Sequence, residues 1–172
     1  MIRLFAGLEL PPPVRAALLA NMGGVAGARW QRDDQLHLTL RFIGEVDRHR
    51  AMDVAAALGR VNIRPFVAEL GEPGLFEHRG RVDTLWVGVR PAEPLANLAR
   101  AINAALAGVG IAPEPRAFVP HITLARGRAM LGVTGWPHAP IPRLSWTVDR
   151  LTLFESQLAR DGSDYHVLAR WP

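Results

Sequence analysis

The chain has no cysteine, no lysine and only three serines, Ser145, Ser156 and Ser163. Without cysteine, disulfides, thiolate nucleophiles and zinc–thiolate sites are excluded. Without lysine there is no Schiff base, no lysyl-nucleotide intermediate and no P-loop of the usual kind. None of the three serines sits in a nucleophile elbow, which removes a serine hydrolase. Long hydrophobic runs are missing too. Prolines and charges interrupt every apolar stretch well short of the roughly 18 residues of a membrane span. The opening Met1-Ile2-Arg3-Leu4-Phe5 runs straight into a strand-like segment without a secretory leader pattern, so a cytoplasmic protein is expected.

What is present is an ordinary globular composition. The 172 residues are 49% hydrophobic and 21% charged, enough for one domain with a sizeable core and too apolar for disorder. All 20 basic residues are arginine, and the net charge is +4. Abundant alanine and proline point to compositional bias as the reason for the arginine. Its planar donor fork nevertheless suits phosphate, so an RNA partner is compatible.

The sharpest signal is a word written twice. His37-Leu38-Thr39-Leu40 and His121-Ile122-Thr123-Leu124 lie 84 residues apart, one in each half. In a strand, successive side chains point to opposite faces, so each His shares a face with its Thr while the apolar residues face a core. One copy would be a weak signal, whereas one copy per half is a strong one. The surroundings repeat as well. Ile2 to Leu10 reads as a strand, Pro11 to Pro13 introduce a helix from Val14 to about Gly23, and the motif strand covers Leu36 to Ile43, ending at Gly44. Thr84 to Val89, Pro91 to Pro94, a helix from Leu95 to Leu106 and a strand from Phe118 to Ala125 come in the same order. Between them lie a helix over about Asp47 to Leu58, a strand over Pro65 to Leu70 and a Gly/Pro-rich loop over Gly71 to Arg81. After a second loop, Gly127 to Pro142, Leu144 to Glu155 and Tyr165 to Trp171 read as a hairpin turning at Asp161-Gly162. The expectation is an α+β fold spanning 1–172 as a single domain built by internal duplication. Two pseudo-symmetric lobes with mainly antiparallel sheets and outer helices each give one His-x-Thr strand to a central groove.

Two imidazoles and two hydroxyls meeting across a groove suit general acid–base attack on a phosphodiester. Either histidine could take either role on this ground alone. Neither motif has the spacing of a metal site, so no metal is expected. Thr in a strand is ordinary, and Thr39 and Thr123 gain meaning only from their spacing to His. His49, His78, His138 and His166 read as surface or structural residues. Trp30, Trp136 and Phe42 read as packing residues rather than base contacts.

Arg29-Trp30, the run Leu36-His37-Leu38-Thr39-Leu40-Arg41-Phe42-Ile43-Gly44-Glu45-Val46, the run Pro120-His121-Ile122-Thr123-Leu124-Ala125-Arg126 and the C-terminal segment around Leu151 to Leu158, Gly162 and Tyr165 together resemble the 2H phosphoesterase superfamily. Within it the chain resembles the RNA 2′,3′-cyclic phosphodiesterases, also called 2′-5′ RNA ligases. The resemblance implies metal-free, cofactor-free hydrolysis of RNA 2′,3′-cyclic phosphate ends, such as those of tRNA fragments, to 2′-phosphomonoesters. Reversible 2′-5′ ligation of tRNA halves would use the same chemistry. It implies His37 as proton donor and His121 as proton acceptor, with Thr39 and Thr123 on the phosphoryl oxygens and Arg126 balancing their charge. Arg126, five residues after His121, has the wrong parity for the His face unless it lies beyond the regular strand. Arg41 has the right parity and is a second expected phosphate contact. A monomer is the default. The alternatives are a phosphodiesterase of small cyclic phosphates or oligoadenylates, and a non-catalytic RNA-binding module.

Overall fold

Both motif segments alternate apolar and polar residues, and in the computed structural model of the protein, which describes residues 1–160 and 162–172, both are strands. In chain order the elements are β1 (Ile2–Glu9), α1 (Pro12–Leu19), β2 (Arg29–Trp30), β3 (His37–Val46), α2 (Arg48–Leu58), β4 (Phe66–His78), β5 (Arg81–Arg90), α3 (Ala92–Ala107), β6 (His121–Arg126), β7 (Ser145–Val148), β8 (Leu151–Ala159) and β9 (Gly162–Trp171). The strands form one antiparallel sheet in the order β7-β4-β5-β6-β3-β1-β8-β9, with β2 added against β6. The fold is α+β, as expected, and the two lobes are the two halves of this sheet.

The lobes are completed by exchange. β4, from the first half of the chain, pairs with β5 of the second; β8, from the second half, pairs with β1 of the first. β3 and β6 meet in the middle, where Leu38 lies opposite Ile122. Both are fully buried, with Leu4, Leu8, Leu40, Leu85, Val87 and Leu124. The amphipathic α3 supplies Leu95, Leu98, Ile102 and Leu106 to the same core and packs over β3 and against α2. Helices therefore cover one face of the sheet.

Local chemistry sets the element ends. In α1, Pro12 and Pro13 occupy the first turn, where a missing N–H costs nothing. The helix stops at Leu19 rather than Gly23, because Gly23 and Gly24 take positive φ and Asn21 turns its amide back onto the Ala17 carbonyl. Asp47 caps α2 by accepting from the Arg50 backbone N–H at 2.8 Å. β3 does not end at Gly44. Its positive φ accommodates a bulge opposite Leu4, and the strand runs on to Val46. The expected Gly71–Arg81 loop is the outer part of a hairpin. β4 continues to His78, a bulge between Leu70 and Pro73 absorbs the proline, and Arg79-Gly80 turn the chain with both φ angles positive. Leu144 to Glu155 divides into β7 and β8. Of the turn expected at Asp161-Gly162, Asp161 lies outside the described residues.

Leu38→Ala should cost about 2–5 kcal/mol of unfolding free energy, since the methyl groups lost come from the centre of the core. Urea unfolding measures this. A midpoint equal to that of the unsubstituted protein would contradict the placement of Leu38.

Candidate active site

The seam between β3 and β6 assembles the site. With Leu38 paired to Ile122 on the helix side, antiparallel register sets His37 across from Thr123 and Thr39 across from His121 on the open face. All four side chains are half-buried and line one groove with Gln31, Gln35, Phe42, Arg126 and Tyr165. The two histidines are held alike. His37 Nδ1 lies 2.7 Å from the Gln35 carbonyl and His121 Nδ1 lies 2.6 Å from the Val119 carbonyl, in each case the residue two positions earlier. A carbonyl can only accept, so each Nδ1 carries a proton and each neutral ring presents the Nε2 lone pair. His37 Nε2 meets the Thr39 hydroxyl at 2.9 Å.

Aromatic rings surround both imidazoles. Phe5 and Phe154 lie with centroids 4.7 and 5.7 Å from His37, and Tyr165 meets it edge-on at 5.0 Å. Phe76 meets His121 edge-on at 5.0 Å, with Trp86 at 5.8 Å. Burial pushes His37 from 6.5 down to about 4; the nearby Arg126 guanidinium and His121 push the same way, against the Gln35 carbonyl. Burial, then Arg126, lowers His121 as well, opposed by the Val119 carbonyl. Both rings are thus neutral in the empty groove at neutral pH. The unfolded chain protonates His37 near 6.5 and the folded one near 4, so this group's contribution to stability falls as pH drops through that interval.

One backbone irregularity, made twice, decides which arginine reaches the groove. Opposite Gly7 and Ala6 stand Thr39 and Arg41, which leaves Leu40 as an extra residue; opposite Trp86 and Leu85 stand Thr123 and Ala125, which leaves Leu124 as the extra. Each bulge shifts the parity by one, three residues after each motif His. Arg126 is thereby returned to the face of His121 and Thr123, where it acts on both histidines. Arg41 is sent to the opposite face. It is buried there, donating to Glu114 Oε2 at 3.1 Å and to the Ala112 carbonyl. Where its parity predicts a free guanidinium on the His face, Arg41 is instead engaged by Glu114 and Ala112 and braces the segment after α3, at the border of the cavity beside His121. Phe42, expected in the core, takes the groove position instead and is 47% exposed.

Trp136 is buried, its Nε1–H donating to the Asn21 carbonyl at 3.0 Å, and Trp30 packs beside it with centroids 6.1 Å apart. His49, His78, His138 and His166 are exposed. Gln35 reaches the groove without any sign in the sequence. It is buried, donates to the Ser163 carbonyl at 2.7 Å and accepts from the Arg32 backbone N–H at 2.8 Å. A cavity of about 550 Å³ opens beside His121 and Arg126, bordered by Phe42, Phe76 and Phe118. Among the described residues no group of three His, Asp or Glu side chains is placed to hold a metal ion, and no helix is long and apolar enough to cross a membrane. Two proton-transfer groups, two hydroxyls and the Arg126 guanidinium on a single face can receive a tetrahedral anion and exchange protons on two sides of it.

Known proteins share this arrangement of sheet and helices. The family model described as "2'-5' RNA ligase superfamily" matches residues 11–160. The RNA 2′,3′-cyclic phosphodiesterase of Escherichia coli K12 is 34% identical over 98% of this chain and 95% of its own length. That of Thermus thermophilus is 33% identical over 99% and 89%. Among solved structures, TT0787 of Thermus thermophilus superposes with a TM-score of 0.82 at 30% identity, covering 98% of this chain and 96% of the other. Escherichia coli LigT complexed with 3′-AMP gives 0.80 at 30% identity, covering 99% and 97%.

Histidine NMR tests the electrostatics. In the free protein the His37 ring should titrate near pH 4, and saturating inorganic phosphate should raise that midpoint, because an anion favours the imidazolium. An unshifted midpoint near 6.5 in the free protein would contradict the burial of this ring.

Proposed function

The chain belongs to the 2′-5′ RNA ligase superfamily, and on that premise we propose that it hydrolyses the 2′,3′-cyclic phosphate at the 3′ end of RNA to a 2′-phosphomonoester by two-histidine acid–base catalysis. Two Nε2 atoms facing one groove from pseudo-symmetric strands, with Arg126 beside them, carry the reading. The names of the full-length relatives supply the substrate class.

In the step itself, water forms a bond to phosphorus while the bond from phosphorus to the 3′-oxygen breaks. His121 Nε2 takes the water proton and His37 Nε2 gives a proton to the departing 3′-oxygen, the assignment that family resemblance implies. Nε2 is the working atom on both rings because each Nδ1–H is held by a backbone carbonyl. His37 is neutral in the empty groove, and the anionic substrate draws it towards the protonated form that an acid needs. Thr39 and Thr123 hydrogen-bond the non-bridging oxygens, and Arg126 balances the charge gathering on them. A 5′-hydroxyl in place of water would give a 2′-5′ linkage by the same route. With no lysine to carry an activated nucleotide, nothing drives ligation forward and hydrolysis dominates. Cytoplasmic tRNA fragments are the RNA ends that this chemistry would meet.

An oligoribonucleotide ending in a 2′,3′-cyclic phosphate tests the proposal in one assay. The unsubstituted enzyme should yield a 2′-phosphate with or without EDTA, and His37→Ala and His121→Ala should each lose about 10²–10⁴-fold in rate. A 3′-phosphate product, loss of activity in EDTA, or undiminished turnover by either variant would overturn it.

A further inference from the structure

The hydrolytic step makes no use of Arg29, which stands at the edge of the groove. Arg29 on β2 lies directly opposite Arg126 on β6, while its neighbour Trp30 lies opposite the core residue Ala125. Alternation therefore puts Arg29 on the groove face with Arg126. Like charges placed opposite one another on one face of a sheet repel. Among the described residues neither guanidinium has a carboxylate partner, whereas Arg32 on the same rim is held by Asp34 at 3.1 Å and Asp164 at 2.6 Å. Arg29 is exposed, and its side chain leans toward the start of β9. Its Nε lies 3.9 Å, and the Gln35 Nε2 3.6 Å, from where a Cβ on Gly162 would stand, so the two side chains converge over the start of β9. Arg126, Arg29 and Arg32 all act on the Tyr165 hydroxyl, against the burial that raises it. The cavity at the other end of the groove is mixed in charge: Phe42, Phe76 and Phe118 are accompanied by Glu77, Asp83 and Glu114 and by Arg41 and Arg116, and Glu114 is paired with both of those arginines. Among the described residues of the groove, the guanidiniums without a carboxylate partner are thus found where β2 meets β6.

We propose that Arg29, facing Arg126 across the β2–β6 pair, forms a second phosphate subsite. It takes the phosphodiester immediately 5′ of the terminal nucleotide, so that the enzyme selects an RNA chain end over a mononucleoside 2′,3′-cyclic phosphate. This rests on the function proposed above. A cyclic phosphate ends its chain, so the only neighbouring phosphate is the one on the 5′ side. Arg126 serves the reacting phosphoryl group, and Arg29 meets the next negative charge along the strand. An anion between the two guanidiniums also removes the repulsion that the empty register carries.

The test compares a diadenosine dinucleotide bearing a 2′,3′-cyclic phosphate with adenosine 2′,3′-cyclic phosphate, for the unsubstituted enzyme, Arg29→Ala and Arg29→Lys. Arg29→Ala should lower the dinucleotide-to-mononucleotide ratio of kcat/KM about tenfold, chiefly through KM. It should also lessen the slope of log(kcat/KM) against log[salt] by about 0.7, the value for one phosphate contact on a single strand. Arg29→Lys, which keeps the charge, should keep the slope. An unchanged ratio, or equal losses on both substrates, would overturn the subsite. If the unsubstituted enzyme opens neither cyclic phosphate, the functional reading fails by itself. Affinity for the 3′-phosphorylated dinucleotide then decides the subsite: a loss in Arg29→Ala absent with adenosine 3′-monophosphate supports it, and equal affinities overturn it.

Discussion

Leu38 lies opposite Ile122 where β3 meets β6, and the geometry of the groove depends on that pairing. Each half of the chain carries one imidazole and one hydroxyl on a strand, and neither half alone has two proton-transfer groups. The seam puts the two sets on one face and the leucine–isoleucine pair in the core. A slip of one residue would turn every one of these side chains to the wrong side. Register is fixed here by burial, since both partners are fully enclosed and a slipped strand would expose them. The exchange of β4 and β8 between the lobes ties the halves together from the outside as well.

The motif residues were legible because alternation is a local property. His37 with Thr39, and His121 with Thr123, needed only strand geometry to be placed on one face. The residues just beyond each motif were not legible, because a bulge is a relation between two strands. Leu40 and Leu124 are extra only when counted against β1 and β5. That single residue sends Arg41 into the helix side, brings Phe42 out and rescues Arg126 from its awkward parity. A signal did exist: the apolar pair Leu124-Ala125 breaks the alternation at the bulge, and reading it as two buried positions in succession would have located the shift. Composition misled at Gly71 to Arg81, where Gly, Pro and charge suggested a loop although a bulge and a two-residue turn carry the same residues in a hairpin. Gln35 and Tyr165 converge on His37 from distant parts of the chain, through contacts that no spacing reveals.

The electrostatics come from the same architecture. Sheet strands place His37 between Phe5, Phe154 and Tyr165, and that apolar collar keeps the ring neutral until an anion arrives. The guanidinium beside it pushes in the same direction in the empty groove and changes meaning once a phosphate lies between them. On the function proposed above, the site is charged by its ligand. The arrangement needs a cation that meets a phosphoryl group with a planar fork of donors, which arginine supplies and lysine does not. The chain's complete lack of lysine therefore costs this chemistry nothing.

In the proposed mechanism the two Nε2 atoms address one phosphorus from opposite sides. A crystal structure with a nucleoside 2′,3′-cyclic vanadate, whose vanadium mimics the five-coordinate phosphorus of the transition state, tests it most directly. The expected density is a trigonal bipyramid with one apical oxygen within hydrogen-bond reach, about 2.6–3.2 Å, of His37 Nε2 and the other within the same reach of His121 Nε2. Vanadate bound with both histidines on one side of its apical axis, or away from them, would contradict it.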